Sequence, residues 1–277
     1  MTEFYEFINN NSEYPKNIEY ENDTYFSFIS TLNCKIHCRF FSQEKLEAPV
    51  IVLFHGVGAH TSTAGYREIK DFWYSNGFHV VGMDVRNQGG MTHGAPTVSE
   101  HGLYASGIFN NFSYFHHIYF DAVALVKIVK GLYPRSPIIT VGGSQGGTLA
   151  IISSIFNSHV SLVLADMPNC IDVKALIQNS KGGFKIFKSS FFITHPQYHL
   201  VIESLLQIDL MNYVDHMNKP ILLSSGNLDE ICPLNNFMAF YEKLTCKKSI
   251  EIYEHFGHGG YDQLHNNKKL SFIYENL

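Results

Sequence analysis

Three segments of this 277-residue chain carry residues whose types and spacing suit acyl chemistry. The first is Gly142-Gly143-Ser144-Gln145-Gly146-Gly147, a G-x-S-x-G pattern that follows the apolar run 137–141 and precedes a helix-like stretch. A serine on so tight a strand-to-helix turn lifts its Oγ above the sheet edge, where it can attack a carbonyl carbon. Glycines belong two residues to either side, because a Cβ there would strike the neighbouring strand and helix. The helix behind the serine also turns its positive end toward the reacting centre. G-x-S-x-G alone is a common string; its strand–turn–helix setting makes Ser144 the candidate nucleophile.

A serine needs a base to take its proton and an acid to orient that base. Downstream, the run 220–225 ends in Gly226-Asn227-Leu228-Asp229-Glu230, and the run 249–253 ends in Glu254-His255-Phe256-Gly257-His258-Gly259-Gly260. Both segments lie at carboxyl ends of strand-like runs, where doubly wound sheets assemble their sites. Asp229 is the candidate acid, with Glu230 and Asp166 as competitors otherwise read as solvated loop carboxylates or caps. His258 and His255 compete for the base. His255 stands two residues beyond the strand, whereas His258 lies in a glycine-framed loop able to fold back over the serine. For the oxyanion, the donors expected are the backbone N–H groups of Gln145 and of Val57, in His55-Gly56-Val57-Gly58.

The remaining composition narrows the function. Fifteen histidines invite a metal reading, yet there is no H-E-x-x-H, His116 and His117 diverge on a helix, and His195 and His199 straddle Pro196. No metal or organic cofactor is expected. A net charge of −5 argues against binding a nucleic-acid backbone, which calls for a basic face. Charged residues make up 16% and apolar ones 45%, enough for a large core. No apolar run approaches the ~20 residues of a membrane span. The start, Met1-Thr2-Glu3-Phe4-Tyr5-Glu6, has neither the basic nor the apolar part of a secretory signal. Five cysteines (Cys34, Cys38, Cys170, Cys232, Cys246) form no C-x-x-C pair, so reduced thiols and a cytoplasmic location are expected.

The elements that must position these groups follow from periodicity. The segments 25–30 and 35–41 predict an antiparallel hairpin. Beyond it, apolar runs at 49–54, 79–84, 137–141, 161–166, 220–225 and 249–253 predict strands. Helices are expected over 66–76 and 115–132, from about 146, and over 233–244 and 261–275. Repeated strand–helix units imply a mostly parallel central sheet with helices on both faces. No linker divides the chain, so one α/β domain spanning 1–277 is expected, with a small helical cap inserted at about 169–213.

Taken together, these motifs resemble the acetyl xylan esterase and cephalosporin-C deacetylase family, carbohydrate esterase family seven of the α/β-hydrolases. Gly142–Gly147 matches that family's serine elbow, including its glutamine. Met83-Asp84-Val85-Arg86-Asn87-Gln88-Gly89 is similar to its Arg-Gly-Gln segment, with Asn87 in place of the glycine. Asp229-Glu230-Ile231-Cys232-Pro233 is similar to its acid loop, and His258-Gly259-Gly260 to its histidine loop, which favours His258 over His255. Ala165–Pro168 and Phe120–Val123 fall where the family has comparable segments. The resemblance implies an α/β-hydrolase fold and a serine esterase that deacetylates small acetylated sugars through Ser144, His258 and Asp229. Arg86 and Gln88 would brace the loops around the site, and a homo-oligomer is implied. Three departures stand out: Gly259 replaces the family's glutamate, Val57 its tyrosine, and the arm before the hairpin is short. Another acyl hydrolase on the same triad, such as a carboxylesterase, thioesterase or peptidase, is the alternative; a silent binding scaffold is a second, disfavoured by the intact Ser, Asp, His set.

Overall fold

Continuous apolar runs in this chain become strands covered on both faces, and they form the middle of one sheet. The computed structural model describes residues 2–109 and 112–277. It begins with α1 (Thr2–Asn10) and an antiparallel meander of β1 (Lys16–Asn22), β2 (Tyr25–Ile29) and β3 (Lys35–Phe41). Next come β4 (Val50–Phe54), α2 (Ala64–Ser75), β5 (His79–Met83), α3 (Tyr114–Leu132), β6 (Ile138–Gly143), α4 (Gln145–Ile155) and β7 (Val160–Asp166). The insertion that follows holds α5 (Val173–Asn179), α6 (Ser190–Thr194) and α7 (Tyr198–Gln207). The chain then closes with β8 (Ile221–Gly226), α8 (Leu234–Lys243), β9 (Lys248–Tyr253) and α9 (Asp262–Asn276).

Among the described residues, nine strands pair in the order β1-β2-β3-β5-β4-β6-β7-β8-β9. The pairs from β5 through β9 are parallel, and β3 joins β5 antiparallel. Alternation along β4 shows how the layers are filled. Val50, Val52 and Phe54 face the cluster built with α3 and α4, while Ile51 and Leu53 face Tyr66 and Trp73 of α2 and Phe272 and Ile273 of α9. Two helical layers thus cover the sheet, and the carboxyl ends of β4, β6, β7, β8 and β9 are left to carry loops.

Two elements go beyond the hairpin expected at the amino terminus. Strand β1 is exposed at all seven positions, and Ile18 and Tyr20 are its only apolar residues, too short an alternation to mark a strand. Helix α1 is short, and it is held by two aromatic anchors. Phe4 meets Tyr119, Phe156 and Tyr213 edge-on, and Phe7 packs on Phe112, His117 and Phe120.

Beneath α1, the first turn of α3 carries two buried histidines. His116 Nδ1 accepts from the Ser113 amide at 3.1 Å, which leaves its Nε2–H to donate to Gln207 Oε1 at 3.1 Å. His117 Nδ1 meets the Thr31 hydroxyl at 2.9 Å. Burial pushes the two imidazoles down, to about 4 and about 3 respectively. In the unfolded chain both take up protons near pH ~6.5. The stability these neutral rings carry is therefore complete above that pH and is lost as pH falls toward the folded values. Each ring contributes at most ~1.4 kcal/mol per pH unit in that window. Urea unfolding at pH 5 is expected to give a stability about 2–4 kcal/mol below that at pH 7.5. Equal stabilities would show that the rings are not neutral in the folded state.

Candidate active site

The elbow is strained where the chemistry needs it. Ser144 sits at φ +55° and ψ −122°, a region a residue with a Cβ seldom enters. Its amide donates to the Asp166 carbonyl at 2.9 Å, and its own carbonyl accepts from Thr148 N at 3.1 Å and Asn169 N at 3.3 Å. The flanking glycines are sterically required. A Cβ on Gly142 would lie 2.4 Å from the Gly146 backbone, and one on Gly146 would lie 2.2 Å from the Phe54 carbonyl oxygen. The elbow therefore fits between β4 and α4 with no room to spare.

The acid and the base meet as a pair. Asp229 is fully buried at its side chain, and its Oδ1 accepts from the amides of Ile231 and Cys232, both at 2.8 Å. Its Oδ2 lies 2.7 Å from His258 Nδ1. An ionised carboxylate only accepts, so Nδ1 carries the hydrogen and Nε2 keeps a lone pair for a proton. The loops that bring them together are laced backbone to backbone. Asn227 N donates to the Tyr253 carbonyl at 3.0 Å and Leu228 N to the Phe256 carbonyl at 2.9 Å. A Cβ on Gly226 would stand 2.2 Å from that same Phe256 oxygen. Met167 links this loop to the elbow: its Sδ would lie 3.5 Å from a Cβ on Gly143, and its Cε 3.8 Å from a Cβ on Gly259.

The competitors are placed elsewhere. His255 is exposed at φ +67°, and its amide donates to Asn227 Oδ1 at 2.8 Å. Glu230 forms an exposed ion pair with Lys181. Asp166 is neither solvated nor a cap, contrary to the reading of it as a surface carboxylate. It is buried, accepts from Ser224 Oγ at 2.7 Å, pairs with the buried Lys269 ammonium and lies 3.1 Å from His265 Nε2. Burial alone would raise its carboxyl; the Lys269 charge and His265 outweigh that and hold it well below the usual range. The thiol of Cys232 lies beside the Ser144 hydroxyl, where burial and the Asp229 charge push it well up, so it stays protonated and is a poor rival nucleophile.

On the oxyanion side, Gln145 opens α4, and the first amides of a helix have no acceptor within it. The loop carrying Val57 lies against the elbow: a Cβ on Gly56 would be 3.9 Å from the Ser144 Cβ. His55 fixes the loop from below. Its Nε2 accepts from Val85 N at 2.9 Å, so Nδ1 donates to the Gly56 carbonyl at 2.8 Å. Burial lowers its pKa, in keeping with a neutral ring. From above, Gln88 accepts from Gly58 N at 3.0 Å and donates to Gln145 Oε1 and to the Tyr114 hydroxyl, both at 2.8 Å. Gln88 thus ties the Val57 loop to the elbow through two side chains.

Arg86 is completely buried and forks onto Asp121, with Nε to Oδ2 at 2.6 Å and an Nη to Oδ1 at 2.8 Å. Another of its donors reaches the Ala95 carbonyl at 2.6 Å. Between them, Asn87 takes φ +57°, and its side chain binds the backbone of Gly94 and Pro96. Asparagine tolerates this left-handed backbone, which explains how it stands where the resembling family has glycine. Tyr114 and Lys269 carry no signal in the sequence, and His55 is read there only as part of the oxyanion loop. Asp121 carries a signal, being the one acid in the mostly apolar 114–132 helix.

A family model for acetyl xylan esterases, AXE1, matches residues 6–276. The chain is similar to the acetyl esterase Axe7A of Xylanibacter ruminicola, with 21% identity over 72% of this chain, and spans 40% of that protein's length. It is also similar to a monoglyceride lipase homolog of Monkeypox virus, with 20% identity over 80% of this chain and 86% of that one. Among solved structures, the acetyl xylan esterase from Paenibacillus sp. R4 superposes with a TM-score of 0.84, at 23% identity over 100% of this chain and 95% of that one. Acetyl xylan esterase 1 from Thermoanaerobacterium sp. JW/SL YS485 gives 0.81, at 23% identity over 98% and 93%. These structural likenesses show the α/β-hydrolase fold. Every residue of the elbow, the acid loop and the histidine loop lies inside the matched span, and the chain belongs to the acetyl xylan esterase family of carboxylic ester hydrolases.

Proposed function

We propose that this protein is a serine esterase that removes acetyl groups from small acetylated carbohydrates, with acetyl esters of the cephalosporin type as a further substrate class. The observation that carries the reading is the buried Asp229 bonded to His258 Nδ1, taken with a serine held at positive φ on the elbow. Ser144 Oγ attacks the acetyl carbon while His258 Nε2 takes the proton, and the Val57 and Gln145 amides hold the oxyanion. The tetrahedral intermediate collapses, His258 returns the proton to the leaving sugar oxygen, and the acetyl group stays on Ser144. Water, deprotonated by His258, then releases acetate. Asp229 orients the imidazole throughout, while Arg86 and Gln88 hold the surrounding loops. We place the enzyme in the cytoplasm as a homo-oligomer; among the described residues no helix is long and apolar enough to cross a membrane. A panel of acetylated mono- and oligosaccharides with acetate release as the readout tests the substrate class. Activity on peptides or thioesters alone would reject it.

A second reading, an esterase for longer acyl chains, is favoured by the similarity to the viral monoglyceride lipase homolog. Acyl length separates the two. Val57 is smaller than the tyrosine of the resembling family and is 42% exposed. Acetyl is expected to remain the best substrate, with propionyl and butyryl esters only mildly penalised. A methylene that finds apolar surface gains ~0.8 kcal/mol, nearly fourfold in rate or binding; one that clashes costs as much or more. Measuring kcat/KM for two-, three-, four- and eight-carbon p-nitrophenyl esters decides it, and an optimum at eight carbons would favour the second reading. Val57→Tyr should sharpen the preference for acetyl; an unchanged profile would remove position 57 from the acyl pocket.

A further inference from the structure

A cavity of ≈ 380 Å³ opens on the α2/α9 side of the sheet, behind the loop that carries Val57. Its walls include Phe54, Gly56, Tyr66, Ile69, Val141 and Met167. Ser144, Val57, Gln145 and His258, the groups of the proposed acyl chemistry, do not line it. It shares a wall with their site nonetheless, because Gly56 and Gly143 border both the cavity and the serine. Its size and apolar walls fall in the range of small-molecule sites, which add a few placed polar groups.

Lys269 supplies such a group. The residue is 4% exposed and lines the cavity, and among the described residues its ammonium donates to Asp166 alone. An ammonium has three donors, so two remain unmatched where unmatched donors are costly. Asp166 and Asp262 line the same space. With one lysine and two carboxylates, the lining is formally negative by one charge, which disfavours an anion, while the ammonium's unmatched donors call for an acceptor and repel a cation placed against them. We infer that this cavity is a second binding site, for a small uncharged molecule with an apolar ring or short chain and one carbonyl or hydroxyl oxygen that accepts from Lys269 Nζ. An occupant would rest against Gly56, on the reverse side of the oxyanion loop.

Benzamide is a suitable probe: uncharged, with a ring for the Tyr66 and Ile69 walls and a carbonyl oxygen for the ammonium. Saturation-transfer NMR on the full chain should show saturable binding. Prior reaction of the protein with a sulfonyl fluoride at Ser144 should leave that binding unchanged. Ile69→Trp, at the half-exposed wall of α2, should weaken it at least tenfold while leaving acetyl-ester hydrolysis at the wild-type rate. No saturable binding up to the solubility of benzamide would overturn the inference, as would loss of binding on blocking Ser144 or full binding in Ile69→Trp. Failure of the sulfonyl fluoride to label Ser144 would count against the proposed esterase chemistry instead; binding to Ser144→Ala then tests the cavity independently.

Discussion

Ser144→Ala should lower kcat/KM for an acetyl ester by a factor of about 10⁴ or more, with the fold intact. The expectation rests on the elbow. Alanine keeps the Cβ and so the same backbone strain at φ +55°, and the Asp166 carbonyl, Thr148 and Asn169 that hold this turn act on the backbone rather than on the hydroxyl. What disappears is the only atom positioned to form the acyl bond in the proposed reaction. The neighbouring Cys232 cannot substitute, since its buried thiol is held protonated. Circular dichroism and thermal unfolding should match the wild type, and mass spectrometry should find no acyl-enzyme. Retention of activity within tenfold in a natively folded variant would remove Ser144 as nucleophile.

The second large effect separates two histidines three residues apart. His258→Ala should lose about 10³-fold or more in kcat/KM, and His255→Ala should stay within a few-fold of wild type. Asp229 has two oxygens, and the structure allots both: one to the amides of Ile231 and Cys232, the other to His258. Among the described residues His258 is the histidine bonded to Asp229, whereas the His255 amide is held by Asn227 Oδ1. His258→Ala also leaves a buried carboxylate short of a partner, so its thermal stability should be compared with that of the wild type before rates are interpreted. Equal losses in the two variants, or a loss confined to position 255, would overturn the assignment.

How far such a site can be seen in a sequence depends on whether its signal is local. The core strands β4, β6 and β7 are runs of β-branched and leucine residues because both faces are covered, and a run of that kind is visible in any window. The elbow is visible for the same reason: the glycines at 142 and 146 answer clashes within five residues and with β4. The pairing of Asp166 with Lys269 is different. It joins residues 103 apart on β7 and α9, and neither segment betrays the other. Position 255 against 258 falls between these cases. Both histidines belong to one loop, and the backbone decides which ring turns inward, with positive φ at His255, Gly259 and Gly260. At Gly259 the angle of +100° suits glycine and strains any larger residue, so the family's glutamate could not simply be restored there. The amino-terminal arm is invisible for a further reason: Phe4 and Phe7 of α1 find their partners at and just before α3, just past α4 and beyond α7, far along the chain.

His55 bears on the shape of the acid limb of the reaction. Burial keeps its ring neutral, with Nε2 accepting from Val85 N and Nδ1 donating to the Gly56 carbonyl, so it does not join the base in taking up a proton. The scaffold of the oxyanion donors therefore stays in one charge state while the proposed base is at work. On a logarithmic plot of kcat/KM against pH, the acid side should descend with a slope of one, the mark of a single ionisation. A slope of two would mean that a second group, with His55 foremost, unlocks the loop as the base is silenced.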